Sequence, residues 1–298
     1  MTSINTNVAA ISALRNLQNV NSALETTNER IASGKAVNKA SDNPSLWAVA
    51  TKLESHNSSD KALRDSLATG KALMGTVSAM MTAVVDDLEE LQSLVTSARQ
   101  TGADRAAIQK EVDAVVLRLE SLAATQPMDG VTLFTDDPTG NNDLTYVTSL
   151  NHGATVTAGT ITVATDDFVL VDSGGNNNGI LDGTAGNLIT GLDGTTVSAI
   201  TDATVGNLDA WIAAIDTAIA AATDGAQTAG SAVTAMESAE NYLNTIIDAR
   251  TAAVGELVDA NMEEESTKLR ALQTQQQLAV EALSIANTQS ASILGLFR

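Results

Sequence analysis

From Glu256 to Leu294 the chain runs without a glycine or proline, bounded by Gly255 and Gly295. Within it, residues recur on a heptad: Met262, Leu269, Gln276 and Leu283 at one core position, Leu272, Ala279, Ala286 and Ile293 at the other. Read as one helix, the stretch is about 58 Å long from its rise per residue. That exceeds what a small domain needs to cover its own core. Ala and Gln occupy several core positions, so the seam is too narrow to hold itself in water and requires partner helices.

Residues 4–33 are the first candidate partner. Leu17, Leu24 and Ile31 fall seven apart, Val20 fills the intermediate position, and Ile4, Val8 and Ile11 extend the stripe backwards. Heptad-bearing segments at both termini predict that the two ends pair. The polar run Ser33–Ser45 reads as a linker, with Gly34 ending one helix, Asn43 capping the next and Pro44 at its first position.

The spacing then predicts a helix from Leu46 to about Ala98, interrupted only weakly by Gly70 and Gly75. Val84, Val85, Leu88, Leu91, Leu94 and Val95 form its buried face; Asp86, Asp87, Glu89 and Glu90 form the solvated one. A loop around Gly102 leads to a second helix, Asp104 to Ala124, with Ile108, Val112, Val115, Leu119 and Leu122 on its apolar side. Composition changes at Pro127. Between Gly130 and Gly206 lie 12 of the 20 glycines, every charged residue is Asp, and Thr160–Val163 and Phe168–Val171 read as short strands. Helix returns at Asn207 and runs, with breaks allowed at Gly225 and Gly230, to Val254. The fold class is therefore mainly α, with long terminal coiled-coil helices, a helical bundle domain and a small β-rich central insert.

Composition narrows the function. The formal charge is −20, from 36 acids against 16 bases, which argues against nucleic acid and anionic membranes as partners. Aromatics make up only 2%, which favours long, thin, Ala-rich helix packing. Cysteine is absent, so disulfides and thiolate metal sites are excluded. No membrane-spanning run is read, and the N-terminus lacks the basic region and compact apolar core of a secretory signal. The protein is expected to stay in the cytosol or leave by a route that needs no cleaved signal.

Candidate chemistry is sparse. His56 and His152 read as solvated surface histidines. The run Asp172–Asp182 resembles a calcium loop, yet with Gly179 at the sharp turn Gly174 stands where the leading Asp belongs; an Asn/Gly turn is the plainer reading. Glu89/Glu90 and Glu263/Glu264/Glu265 are carboxylates on polar helix faces, the latter suited to a helix N-terminus. No catalytic, metal or cofactor-binding residue is assigned, and an enzyme is not expected.

Several segments together resemble bacterial flagellin. Ile4-Asn5-Thr6-Asn7, Glu29-Arg30-Ile31-Ala32-Ser33-Gly34-Lys35 and Val37-Asn38-Lys39-Ala40-Ser41-Asp42-Asn43 resemble the N-terminal signature of that family. Gln109 and Glu111, followed by Met128-Asp129-Gly130-Val131, are similar too, although many members have Phe-Asn-Gly there. The Gln/Ala-rich end closing on Ser292-Ile293-Leu294-Gly295-Leu296-Phe297-Arg298 resembles the family's C-terminus. The likeness covers about residues 1–134 and 235–298; the insert is unmatched.

The resemblance implies a structural subunit that self-assembles into an extracellular flagellar filament for swimming, exported unfolded through the flagellar type III apparatus. It implies a terminal coiled-coil domain of 1–43 with 259–298 lining a central channel, a helical scaffold of 44–142 with 207–258, and an outer insert of 143–206. Polymerisation is expected to run through Leu17, Val20, Leu24, Ile31, Leu269, Leu272, Leu283, Ile293 and Leu296. Both ends are expected to fold on assembly. Implied partners are other flagellin subunits, the filament cap protein, the hook–filament junction protein, an export chaperone and the export apparatus. A junction protein with similar ends and a secreted adhesin are the alternatives. The family's contact with an animal Toll-like receptor uses an Arg, a Leu and a Glu on exposed helices. Leu94 and Glu111 match, but Glu90 stands at the Arg position, so weak receptor activation is expected.

Overall fold

A computed structural model describes residues 7–127, 133–135, 143–153, 155–171, 179–181, 200 and 205–296. Its elements are α1 (Val8–Ser33), α2 (Pro44–Ala98), α3 (Arg105–Ala123), β1 (Leu144–His152), β2 (Val156–Val163), a 3-10 turn at Asp166–Phe168, α4 (Val205–Val258) and α5 (Met262–Leu296). The chain is mainly α, as the periodicity predicts. It divides into two compact units, residues 1–58 with 247–298 and residues 59–246.

In the first unit, Asn7 caps α1, its Oδ1 accepting from the Ala10 amide at 3.0 Å. Gly34 ends α1 at φ +71°, a left-handed conformation that suits glycine. Asn43 Oδ1 accepts from the Leu46 amide at 3.2 Å, with Pro44 as the first residue of α2. The long stretch from Glu256 to Leu294 is not one helix. It breaks at Asp259–Asn261, where the backbone pairs with the segment after α1 instead of continuing the helical ladder. Asp259 bridges Lys35, Ala36 donates to the Val258 carbonyl at 2.6 Å, and Ala260 donates to the Gly34 carbonyl at 2.8 Å. Asn261 then restarts the helix, its Oδ1 accepting from Glu263 N at 3.1 Å and Glu264 N at 3.4 Å. Gly255 and Gly295 lie inside helices rather than closing them. A small cluster of Ala50, Val254 and Val258, with Val37, Leu53 and Leu257, packs around this junction.

The second unit carries a continuous apolar core. Leu67, Met74, Met81, Val84, Leu88 and Leu91 of α2, Val112, Val115 and Leu119 of α3, and Ile215, Ala222 and Met236 of α4 are all buried. An 18-residue window of α2 is apolar enough to cross a membrane, so the reading that no such run exists is corrected. α2 is also the helix that supplies much of this core.

No break occurs at Gly70, Gly75, Gly225 or Gly230. Two of these glycines instead admit close neighbours. A Cβ on Gly70 would meet the Tyr146 ring at 2.5 Å, and one on Gly225 would meet the Asp167 carbonyl at 2.5 Å and Met81 Cε at 2.6 Å.

β1 and β2 form an antiparallel hairpin, from Leu144 opposite Val163 to His152 opposite Val156, with an irregularity between Val147 and Ser149. Thr160–Val163 is a strand as expected; Phe168–Val171 is not. Phe168 ends the 3-10 turn, and the following backbone is consumed by irregular bonds: Leu170 and Val171 donate to the Phe134 carbonyl at 2.9 and 3.0 Å, and Ile180 donates to Val169 at 2.9 Å. Phe134, Phe168 and Leu170 are thereby fully buried. Most of the calcium-loop candidate and all of Met128–Val131 lie outside the described residues.

Candidate functional site: the paired terminal helices

α1 and α5 lie antiparallel, tied among the described residues by three polar contacts. Asn7 Nδ2 donates to the Ala286 carbonyl at 2.9 Å, Gln276 Nε2 donates to Asn21 Oδ1 at 2.8 Å, and Arg30 Nη1 donates to Glu265 Oε1 at 3.1 Å. Between these contacts runs the seam. Ala10, Ala13, Leu17, Val20, Leu24 and Ile31 are half-buried on α1; Leu269, Gln276, Ala279 and Leu283 are half-buried on α5, with Leu272 and Ala286 buried. The residues assigned to polymerisation thus line a seam within the chain, except Ile293 and Leu296, whose side chains lie outside the described residues.

Val8 and Ile11 do not extend this seam. Val8 is 68% exposed and Ile11 42%; the stripe continues through Ala10 and Ala13, because a 3.6-residue turn carries 8 and 11 to the outer face. Met262 is likewise exposed, and the heptad core position beside it is Glu265. Glu265 is not a solvated carboxylate on a polar face: it is buried, held by Arg30, and its Oε2 has no partner among the described residues. Extending the Leu272–Ala279–Ala286 register one heptad back is the signal that would have found it. Thr27, on the corresponding stripe of α1, is 1% exposed.

Apolar side chains also lie outside the seam. Val8, Ile11 and Leu14 on α1, and Leu278, Val280 and Ile285 on α5, are exposed large hydrophobics. Leu278 and Ile285 stand seven apart, so α5 presents a second stripe besides the one it spends on α1.

Below α1, the linker is held by polar clamps. Asp42 accepts from the Asn38 and Lys39 amides at 3.0 Å each, and the Lys39 bond foremost holds its carboxyl below the ordinary carboxylate range. The Lys39 ammonium donates to Glu29 at 3.0 Å, which raises its pKa above the ordinary lysine value.

The residues matching the receptor surface lie on the second unit. Glu90 is exposed on α2, Leu94 is half-buried against the core, and Glu111 is exposed on α3. Arg118 of α3 binds both Asp87 and Glu90, and the Asp87 bond foremost raises its pKa. The histidines differ from the sequence reading. His56 is half-buried, and His152 ends β1 with Nε2 3.5 Å from Asp60 Oδ1, a carboxylate only 2% exposed. The sequence placed both in solvent because neither neighbourhood is apolar locally; the burial comes from tertiary packing.

Comparison with known proteins agrees with this layout. Residues 4–139 match the bacterial flagellin N-terminal helical region and residues 212–297 the bacterial flagellin C-terminal helical region. The chain is 36% identical to flagellin C of Rhizobium meliloti strain 1021 and 34% identical to flagellin of Brucella melitensis, each alignment covering 100% of both proteins. It is 32% identical to flagellin FljK of Caulobacter vibrioides over 100% of this chain and 99% of that one. With paired terminal helices and full-length similarity to these relatives, the chain belongs to the bacterial flagellin family.

Proposed function

We propose that the outer apolar stripe of the terminal helix pair is the surface through which subunits polymerise. As a flagellin, the chain is a structural subunit of the extracellular flagellar filament, and the junction-protein and adhesin alternatives are not favoured. The observation that carries the assembly reading is the exposure of Val8, Ile11 and Leu14 on α1 together with Leu278, Val280 and Ile285 on α5. Exposed large hydrophobics beside the seam mark an interaction site, and a second copy of this chain offers matching residues. In this reading Leu17, Val20, Leu24, Ile31, Leu269, Leu272 and Leu283 act indirectly, by holding α1 on α5 so that the outer stripe exists. Ile293 and Leu296 are proposed, with them, to serve polymerisation.

The proposed division of labour is an inner layer of 1–43 with 259–298, a surrounding scaffold of 44–142 with 207–258, and an insert of 143–206 facing water. The cap protein, the hook–filament junction protein, an export chaperone and the type III apparatus are the proposed partners, and the chain's work is structural rather than catalytic. Weak activation of the animal receptor is proposed from Glu90, whose carboxylate faces Arg118 where a receptor contact would need a cation. Glu90→Arg, presented as purified monomer to reporter cells, is expected to raise the response. Potent activation by the unaltered protein would refute the proposal.

Assembly is tested by seeded polymerisation followed by electron microscopy, beside a variant lacking residues 259–298. Filaments from the full chain and none from the truncation are expected. Extension of seeds by the truncated chain would remove the terminal pair from its proposed role.

A further inference from the structure

The seam between α1 and α5 poses a register problem. Its apolar residues repeat every seven, so sliding one helix past the other by a heptad again sets apolar residues opposite apolar residues. Small Ala side chains at positions 10, 13, 279 and 286 add little shape to discriminate the alternatives.

We propose that the Arg30–Glu265 pair is the register lock of the terminal helices, selecting one of several apolar-equivalent alignments. Two observations carry this. Glu265 occupies a heptad core position and is buried, with Arg30 as the one hydrogen-bond or ion-pair partner of its carboxylate among the described residues. A slip of one heptad in either direction would also separate the charges. Glu265 would face the level of Ala23 or Val37, and Arg30 correspondingly that of Val258 or Leu272. A buried carboxylate with no cation is far more costly than the intact pair is stabilising, so the pair penalises wrong alignments more than it strengthens the right one. The Asn21–Gln276 bond lies at an exposed edge and can be replaced by water. Backbone bonds of Gly34 and Ala36 with Ala260 and Val258 hold the junction end, and within the seam the ion pair is the buried charged contact that a slip would strand.

The chain has no cysteine, so introduced thiols report alignment without background. Ala10→Cys with Ala286→Cys marks the observed register, because Asn7 meets Ala286 and Asn21 meets Gln276 in the same antiparallel alignment. Ala10→Cys with Ala279→Cys marks a one-heptad slip. Each pair is placed in the full chain and assembled into filaments. After thiol oxidation the filaments are dissociated, and intrachain cross-links are separated from interchain dimers by gel mobility.

With Arg30 and Glu265 present, the in-register cross-link should exceed the slipped one by at least about 10-fold, the scale expected when a slip strands a buried charge. In the Arg30→Met/Glu265→Leu background the preference should fall to within about 3-fold, because apolar substitutes pack in either alignment. Retention of the full preference there would overturn the proposal and assign register to apolar packing or to the backbone bonds between Gly34–Ala36 and Val258–Ala260. Should that background give no cross-link in either pair, the charge-swapped variant Arg30→Glu/Glu265→Arg decides. A restored in-register preference supports the lock; a lost or slipped preference overturns it.

Discussion

The two units of the chain bury their apolar residues in different ways. In residues 59–246, α2, α3 and α4 contribute residues with essentially no exposure, such as Val77, Met81, Val84, Leu88, Val112 and Met236. In the α1–α5 pair of the terminal unit, Leu17, Val20, Leu24, Leu269 and Leu283 remain half-buried, and among the described side chains as many large hydrophobics of the two helices face outward as inward. A two-helix seam removes only one stripe of each helix from water, whereas a bundle removes most of the surface. The second unit is therefore built to stand alone, and the terminal unit is built to be completed. Heptad periodicity looks alike in both regions, so periodicity alone does not separate a finished core from an unfinished one.

The largest expected effect that could break this contrast is a core truncation. Leu88→Ala removes a fully buried side chain and should cost about 2–5 kcal/mol of monomer stability, measured by denaturant unfolding. Leu24→Ala should change monomer stability far less while weakening the filament against heat. Equal effects of the two substitutions on the monomer would erase the distinction. Next come the close-approach glycines. Gly225→Ala drives a methyl into the Asp167 carbonyl and Met81, so a net loss of about 1–3 kcal/mol is expected. Gly75→Ala meets nothing within 4 Å and should stabilise the helix by up to about 1 kcal/mol. A smaller contrast compares caps. Asp104 Oδ1 accepts from the Ala107 amide at 3.1 Å at the start of α3, and Asp104→Ala should cost about 1 kcal/mol in the monomer. Asn7→Ala, at the equivalent place on α1, should register mainly in filament stability.

The smallest effect is a pH dependence in the terminal unit. Asp42 has a folded pKa below its unfolded value of about 3.9. Its contribution is therefore fully present above that unfolded value and is lost as pH falls through the folded one. Asp42→Asn should flatten the acid limb of linker order, read by amide exchange at Asn38 and Lys39, and leave the behaviour near neutrality unchanged. An unaltered acid limb would show that the Asp42 clamp contributes nothing there.

Much of this was legible in the residues. The α1 and α5 seams, the cap at Asn43–Pro44, the left-handed Gly34 and the apolar faces of α2 and α3 all follow from spacing and turn chemistry. What escaped was non-local. The glycine-free run hides its break at Asp259: Asn261 before Glu263–Glu265 is a local helix-start signal, but the break itself is made by backbone pairing with Lys35, far away in sequence. Phe168–Val171 alternates like a strand but finds Phe134 instead of a strand partner. Gly70 and Gly225 look like weak helix positions and are places where another segment approaches closely. Glu265 looks solvated among three acids, and only continuation of the heptad through it reveals a core position.

The most direct measurement is hydrogen–deuterium exchange on purified monomer and on filament, read peptide by peptide. Amides of Val8–Ser33 and Met262–Leu296 should exchange rapidly in the monomer and become protected in the filament, while the cores of α2, α3 and α4 within residues 59–246 stay protected in both. Terminal amides as slow in the monomer as those around Leu88 and Met236 would contradict the claim that the terminal unit is completed only by its neighbours.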